Sequence, residues 1–212
     1  MLLKDFIKNE EVIVFDTEYT SWEGSNERKH SGENEHREII QIGAIKLRKE
    51  NNKYCVIDKI NNIGYIYVKP KINTVLSEYI TNLTGITNQN IIDEGYTFEE
   101  ALKIFSQFCG NNQVYSYGDD FNDVIVENIN LYTSRFPGKF NYNFLNNLYE
   151  NSKDIRKLFD YNGINTNKYT SGEVYKSLNI KVENENNHFA IWDCLSISLT
   201  INGLIKNNNI TV

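Results

Sequence analysis

Apolar, β-branched residues first concentrate at residues 11–15 (Glu-Val-Ile-Val-Phe), a short run that ends at Asp16 and predicts a buried strand. An almost wholly polar stretch with two glycines follows at 21–38 and predicts a long loop, a kind of segment often tied to function in a compact domain. Residues 39–47 predict a second strand, interrupted by Gly43. Residues 54–68 alternate loosely and predict a long third strand nearer the sheet edge, stopped by Pro70. The next part is mostly helical. Residues 74–83 predict a short helix ending at Gly85, and residues 97–109 a helix with a capping box, Thr97 as N-cap and Glu100 three residues on. Phe98, Ala101, Leu102, Ile104, Phe105 and Phe108 form its apolar stripe. Residues 114–117 predict a short strand, and apolar residues at 121, 124, 125, 129 and 132 have helical spacing. Pro137-Gly138 is a break. Residues 141–181 predict one or two helices around 154–159 and 172–178, and residues 189–204 a last apolar helix. The order predicts one α/β domain over residues 1–212, with a core at about 11–204, an insertion loop at 21–37 and no internal repeat.

Composition narrows the possibilities. At 212 residues with 40% hydrophobic and 13% aromatic content, the chain carries enough apolar mass for a sizeable core, which excludes a disordered segment. Three scattered cysteines (Cys55, Cys109, Cys194), without a CxxC pair, exclude a disulfide framework and a cysteine-type zinc site. No apolar run reaches the ~18 residues that span a bilayer, and charges at Lys4 and Asp5 interrupt any signal-like stretch. A cytoplasmic setting with no membrane partner is the resulting expectation. The net charge of −6 argues against gripping nucleic acid by bulk charge, though not against an enzyme whose acidic site recruits cations. Asn occurs 32 times, dispersed as codon bias would leave it, and blurs turn signals because Asn favours turns.

Candidate chemistry lies with the acids. Asp16-Thr17-Glu18 follows the first strand directly, and alternate strand residues point the same way, so both carboxylates can converge at the strand's C-terminal end. Carboxylate pairs suit Mg²⁺ or Mn²⁺, which prefer oxygen ligands. In His188-Phe189-Ala190-Ile191-Trp192-Asp193 the five-residue step puts His188 and Asp193 together only if His188 sits in the loop before a helix that contains Asp193. The polar run at 183–187 supports that arrangement. Asp193 lies among apolar Trp192, Cys194 and Leu195, where an unpaired carboxylate is costly. Without a ligand, the same residues read as a helix cap and a core hydrogen bond. A further acid closes the fourth strand in Ser116-Tyr117-Gly118-Asp119-Asp120.

Acid-x-acid after strand one, an acid after strand four and His-x-Ala-x-x-Asp on the last helix together resemble the DEDDh family of 3′-5′ exonucleases. Residues 37–45 (Arg-Glu-Ile-Ile-Gln-Ile-Gly-Ala-Ile) are similar to that family's second strand, and residues 83–87 (Leu-Thr-Gly-Ile-Thr) to its substrate-contacting turn. For the third acid, Asp120 with apolar Val124 four residues on fits the family pattern, although the acid often lies three residues after the glycine, here Phe121; Asp119 and Asp123 are alternates. The resemblance implies an RNase H-like mixed sheet of about five strands flanked by helices. It implies two divalent cations, Mg²⁺ or Mn²⁺, on Asp16, Glu18, Asp120 and Asp193, with His188 as general base. It implies phosphodiester hydrolysis at the 3′ end of a single strand, releasing nucleoside 5′-monophosphates. RNA is favoured over DNA because the long insertion after residue 20 is more similar to the RNA-trimming branch. Thr17, Tyr19, Leu83, Thr84 and Ile86 are candidate substrate contacts, and Trp22 a candidate base-stacking residue in a loop that could cover the site. His30 and His36 are expected at the surface. The rival from another class is a non-catalytic exonuclease fold that only binds; it is disfavoured because the residue types needed for catalysis are all present.

Overall fold

The structure is a computed structural model and describes residues 6–137, 141–183 and 188–207. Gly138 of the expected break and residues 184–187 of the polar run before the last helix lie outside the described residues.

The centre of the sheet is β1 (Glu11–Tyr19), buried along nearly its whole length. It pairs antiparallel with β2 (Ile39–Glu50), in a register that sets Asp16 opposite Gly43 and Glu18 opposite Gln41. On its other side it pairs parallel with β5 (Gln113–Ser116), through Ile13 opposite Val114. Gly43 does not interrupt β2, which runs on through it for twelve residues.

The expected single strand at 54–68 is two strands. Both β3 (Lys53–Lys59) and β4 (Tyr65–Tyr67) pair with β2, with β3 at the sheet edge. Between them Asn61, Asn62 and Gly64 take positive φ of 52°, 62° and 102°. Asn and Gly tolerate that conformation better than other residues, so the chain turns there. A short sixth strand, β6 (Ser152–Asp154), adds parallel to β5. Among the described residues the sheet therefore has six strands, in keeping with the expected mixed sheet of about five, in the order β3-β2-β1-β5-β6 with β4 on the far end of β2.

Three helices lie between β4 and β5. Helix α1 (Glu78–Thr84) starts later than expected, because Ser77 is its N-cap, and ends at left-handed Gly85. Helix α2 (Asn88–Glu94) is an addition; Thr87 and Asn90 form its capping box, with Asn where Glu or Gln usually signals one. Helix α3 (Phe98–Cys109) has the predicted Thr97–Glu100 box. The helix expected over 121–132 begins as a π-helical stretch, Phe121–Val126, and continues as α4 (Glu127–Arg135). Residues 141–181 yield α5 (Asn146–Asn151), α6 (Arg156–Tyr161) and a 3₁₀ segment, Ser171–Leu178. The last helix is α7 (Ala190–Asn207); among the described residues no helix is long and apolar enough to cross a membrane.

The two-residue period of β1 divides the core. Ile13 and Phe15 pack with α3, Phe121 and Tyr132 on one face, while Val12 and Val14 pack with Phe159, Cys194, Ile197 and Ile201 on the other. Asp16 and Glu18 continue the Val12–Val14 side and so come up under α7.

One buried carboxylate ties these layers together at the start of β2. Glu38, fully buried, accepts from the backbone N–H of Lys71 (2.7 Å), Ile72 (2.8 Å) and Asn73 and from the Tyr132 hydroxyl (2.7 Å). Removing it leaves four donors without their acceptor. Glu38→Ala is therefore expected to destabilise the protein by about 3 kcal/mol and lower its melting temperature by roughly 6–12 °C; an unchanged melt would show that the network carries no stability.

Candidate active site

Helix α7 reaches the sheet closely because Gly43 has no side chain. A Cβ there would lie 2.6 Å from the carbonyl carbon and 2.7 Å from the Cβ of Ala190, the first residue of α7. The helix start is held from below, with the Ala190 N–H donating to Gln41 Oε1 at 2.9 Å. His188 precedes the helix with φ 63°, and the Asp193 N–H closes the first turn on the Phe189 carbonyl at 3.3 Å. His188 is thus outside the helix and Asp193 inside it, the arrangement that the five-residue spacing required.

This packing gathers three carboxylates. Asp16, Glu18 and Asp193 are 6%, 8% and 2% exposed, and each offers an oxygen within 4.8 Å of the others. Of the three acids near residue 120, only Asp120 faces the same cavity, where the Thr17 hydroxyl reaches it at 3.5 Å. Asp119 accepts both bonds from the Asn122 amide, and Asp123 is exposed. Asp120 stands outside the tight group of three.

Burial dominates the electrostatics. It holds the Asp16 carboxyl well above the usual carboxylate range, with Asp193, Asp120 and Glu18 raising it further. Glu18 is raised in the same way, by burial first and then by Asp193 and Asp120. Burial pushes both Asp120 and Asp193 up to about 7, against the opposing pull of Arg156 and Thr17 on the first and of Ser171 on the second. Such a cluster needs either protons or cations. The donor set fits a hard divalent ion: all ligands are oxygens, and Asp193 Oδ1 is buried without a hydrogen-bond partner among the described residues, while its Oδ2 accepts from the Ser171 hydroxyl at 2.9 Å.

The carboxylates open into a cavity of about 280 Å³, with His188, Thr17, Tyr19 and Leu83 on its walls. The other expected contacts are not brought there. Thr84 is buried and caps its own turn, donating to the Ile80 carbonyl and accepting from the Ile86 N–H, and Ile86 is packed in the core with Ile40 and Tyr67. Trp22 is half-buried and does not line the cavity; from the same loop Ser21 and Asn26 do. His30 and His36 lie half-buried at the surface, with their side-chain contacts to Asn26 and Arg135 exposed. Tyr79, Tyr117, Thr170 and Ser171 also line the cavity and were not foreseen. Tyr79 lies four residues before Leu83 on α1, a helical spacing that could have shown it; Ser171 carries no such signal.

A sequence profile described as Exonuclease, of RNase T type, matches residues 13–198. ERI1 exoribonuclease 2 of Mus musculus is 36% identical over 98 residues, which are 46% of this chain and 12% of that protein. A DNA polymerase III of PolC type from Lactococcus lactis subsp. lactis is 30% identical over 125 residues, 59% of this chain and 6% of that protein. The matched segments are thus a small part of each relative. Among solved structures, a 3′-exonuclease described with specific recognition of the 3′ end of histone mRNA stem-loop shares the fold with a TM-score of 0.68 and 18% identity, over 94% of this chain and 65% of that one. The nuclease domain of 3′hExo, described as a DEDDh family member bound to rAMP, gives 0.64 and 19%, over 91% and 90%.

The raised carboxyls set the pH behaviour of the metal-free protein. A carboxyl whose folded pKa lies above its unfolded value of roughly 4 binds its proton more tightly in the native state, so stability is lost as pH rises from there through the folded value. With EDTA present, the melting temperature is expected to fall between pH 5 and pH 8, spanning the values near 7 of Asp120 and Asp193. Millimolar Mg²⁺ or Mn²⁺ is expected to raise the pH 8 melt and flatten the profile. A profile that metal leaves unchanged would count against a cation site here.

Proposed function

The chain belongs to the RNase T exonuclease family, and from that premise we propose that it is a metal-dependent 3′-5′ exonuclease trimming single-stranded RNA or short oligonucleotides to nucleoside 5′-monophosphates. The observation that carries this reading is the meeting of three buried carboxylates, one with an unpartnered oxygen, and a histidine in one cavity. The whole chain is taken as a single exonuclease domain. A reducing, cytoplasmic setting accords with its three free cysteines.

In this reading Asp16, Glu18 and Asp193, with Asp120 beside them, would hold two Mg²⁺ or Mn²⁺ ions. When bound, the ions offset the charge of the phosphodiester and activate the attacking water. His188, at the mouth of the helix, accepts the proton from that water on an imidazole nitrogen. The Ser171 hydroxyl occupies one Asp193 oxygen and so directs the other toward the site. Leu83 and Tyr79, each 37% exposed on one helix face, offer an apolar rim to the terminal base, and Thr17 and Tyr19 line the strand side. Thr84 and Ile86 act by shaping the turn that carries Leu83.

The preference for RNA draws on the exoribonuclease relatives and the mRNA-directed structural neighbour. The polymerase relative makes DNA the runner-up substrate.

The test is a digestion panel of 5′-labelled single-stranded RNA, single-stranded DNA and duplexes with Mg²⁺ or Mn²⁺. Wild type is expected to give a stepwise ladder on single-stranded RNA. The ladder is expected to disappear with Asp16→Ala and to slow about 10²–10⁴-fold with His188→Ala. A stronger ladder on DNA would reassign the substrate. Internal cleavage fragments, or activity that survives EDTA, would overturn the mechanism. Binding by the Asp16→Ala variant alongside an inactive wild type would point to a non-catalytic module.

A further inference from the structure

Strand β4 leaves part of the sheet edge open. Its inner side is bonded to β2. The Ala44 N–H donates to the Gly64 carbonyl at 3.0 Å and the Val68 N–H to the Ile40 carbonyl at 2.9 Å, with Ile66 opposite Ile42 between them. Bonded residues alternate along an antiparallel ladder, so the backbone N–H and C=O groups of Tyr65 and Tyr67 point away from β2. The Tyr67 carbonyl accepts from the Tyr96 N–H at 2.9 Å. The Tyr65 N–H, the Tyr65 carbonyl and the Tyr67 N–H have no hydrogen-bond partner among the described residues.

These groups face a groove of about 460 Å³. Tyr65, Ile66 and Tyr67 all line it. Side chains of consecutive strand residues point to opposite faces, so a groove that touches all three runs along the strand's edge. Ile63, 50% exposed, closes one end, and Asp93, Glu94 and Tyr96 form the wall after α2.

The neighbouring edge strand is protected in ways that β4 is not. Strand β3 has lysine at both ends, and its pairing with β2 shifts register between Lys46 and Leu47. The Asn202 side chain of α7 takes the outward Tyr54 N–H at 2.7 Å and donates to the Tyr54 carbonyl at 2.8 Å. Charges, irregular pairing and covering groups of this kind keep other strands off a sheet edge. Strand β4 reads Tyr-Ile-Tyr, with no charge and regular pairing to β2.

The groove wall is acidic. Asp93 and Glu94 are its charged residues, both exposed, and neither makes an ion pair among the described residues. Asp93 accepts from the Gln89 amide at 2.8 Å. Lys69, whose stem lies beside Gly95, and Lys59, at the end of β3, do not line the groove. Two carboxylates beside the rings of Tyr65, Tyr67 and Tyr96 suit a lysine or arginine side chain.

We propose that the open edge of β4 is a docking site for an extended segment of a partner protein that alternates basic and apolar residues and adds to the sheet as a further strand. Main-chain bonds to Tyr65 and Tyr67 supply the grip, and the side chains supply the selection. A basic residue reaches Asp93 and Glu94, and an apolar one covers Ile63. This inference is independent of the exonuclease reading.

The test is amide NMR on the full chain, titrated with the blocked hexapeptide acetyl-Lys-Val-Lys-Val-Lys-Val-amide and with its counterpart that has Glu for Lys. The lysine peptide is expected to give saturable shifts centred on Tyr65 and Tyr67 and to slow hydrogen exchange at those two amides about tenfold. The Glu peptide on wild type, and the lysine peptide on Asp93→Lys/Glu94→Lys, are each expected to bind about tenfold more weakly. No saturable binding of the lysine peptide, equal binding of the two peptides, or shifts centred on β3 or β6 overturns the proposal. Protection of the Tyr65 and Tyr67 amides that grows with protein concentration and needs no peptide assigns the edge to a second copy of this chain and also overturns it.

Discussion

Helix α7 can lie across the middle of the sheet only because position 43 carries no side chain. The contact between Gly43 and the Ala190 backbone is where three independent parts of the chain meet: the end of β1, the middle of β2 and the start of the last helix. With the helix seated there, Gln41 takes the first free N–H of α7, and Asp193 in the opening turn comes to rest over Asp16 and Glu18. Pushing the helix outward by even the width of a methyl group would separate the carboxylates, because a close-packed interior passes on a local displacement.

The same packing creates an electrostatic debt. Taking Asp16, Glu18 and Asp193 out of water beside one another is unfavourable in their charged forms, and burial is the largest cause of the raised pKa at each. Among the described residues the hydrophobic core closes on both faces of β1 without the cluster. Carboxylates gathered against stability, at the C-terminal end of the central strand, mark a place where function outweighs folding.

Much of this was legible in the sequence, and the parts that were not have physical reasons. Asp16 and Glu18 stood out because a two-residue period after an apolar run fixes their shared side, and Asp193 because a carboxylate among apolar neighbours demands a partner. Asp120 was harder: three acids within five residues satisfy overlapping patterns, and only the fold shows that Asp119 turns to Asn122 and Asp123 to solvent. The break between β3 and β4 was hidden because Asn61 and Asn62 are turn signals in a chain where Asn is everywhere. The three-residue strand β6, Ser-Lys-Asp, has no apolar residue and owes its place to pairing with β5 alone. Trp22 was attractive as a stacking residue by type, yet the loop turns it off the cavity wall and presents Ser21 and Asn26 in its place.

The central claim is that the carboxylate cluster is a divalent-cation site, and anomalous diffraction from crystals soaked in Mn²⁺ tests it most directly. The account predicts a manganese peak within coordination distance, roughly 2.0–2.4 Å, of carboxylate oxygens of Asp16, Glu18 and Asp193. That peak should disappear in Asp16→Asn crystals. A wild-type map with no peak between these residues, or with manganese bound only elsewhere on the acidic surface, would contradict it.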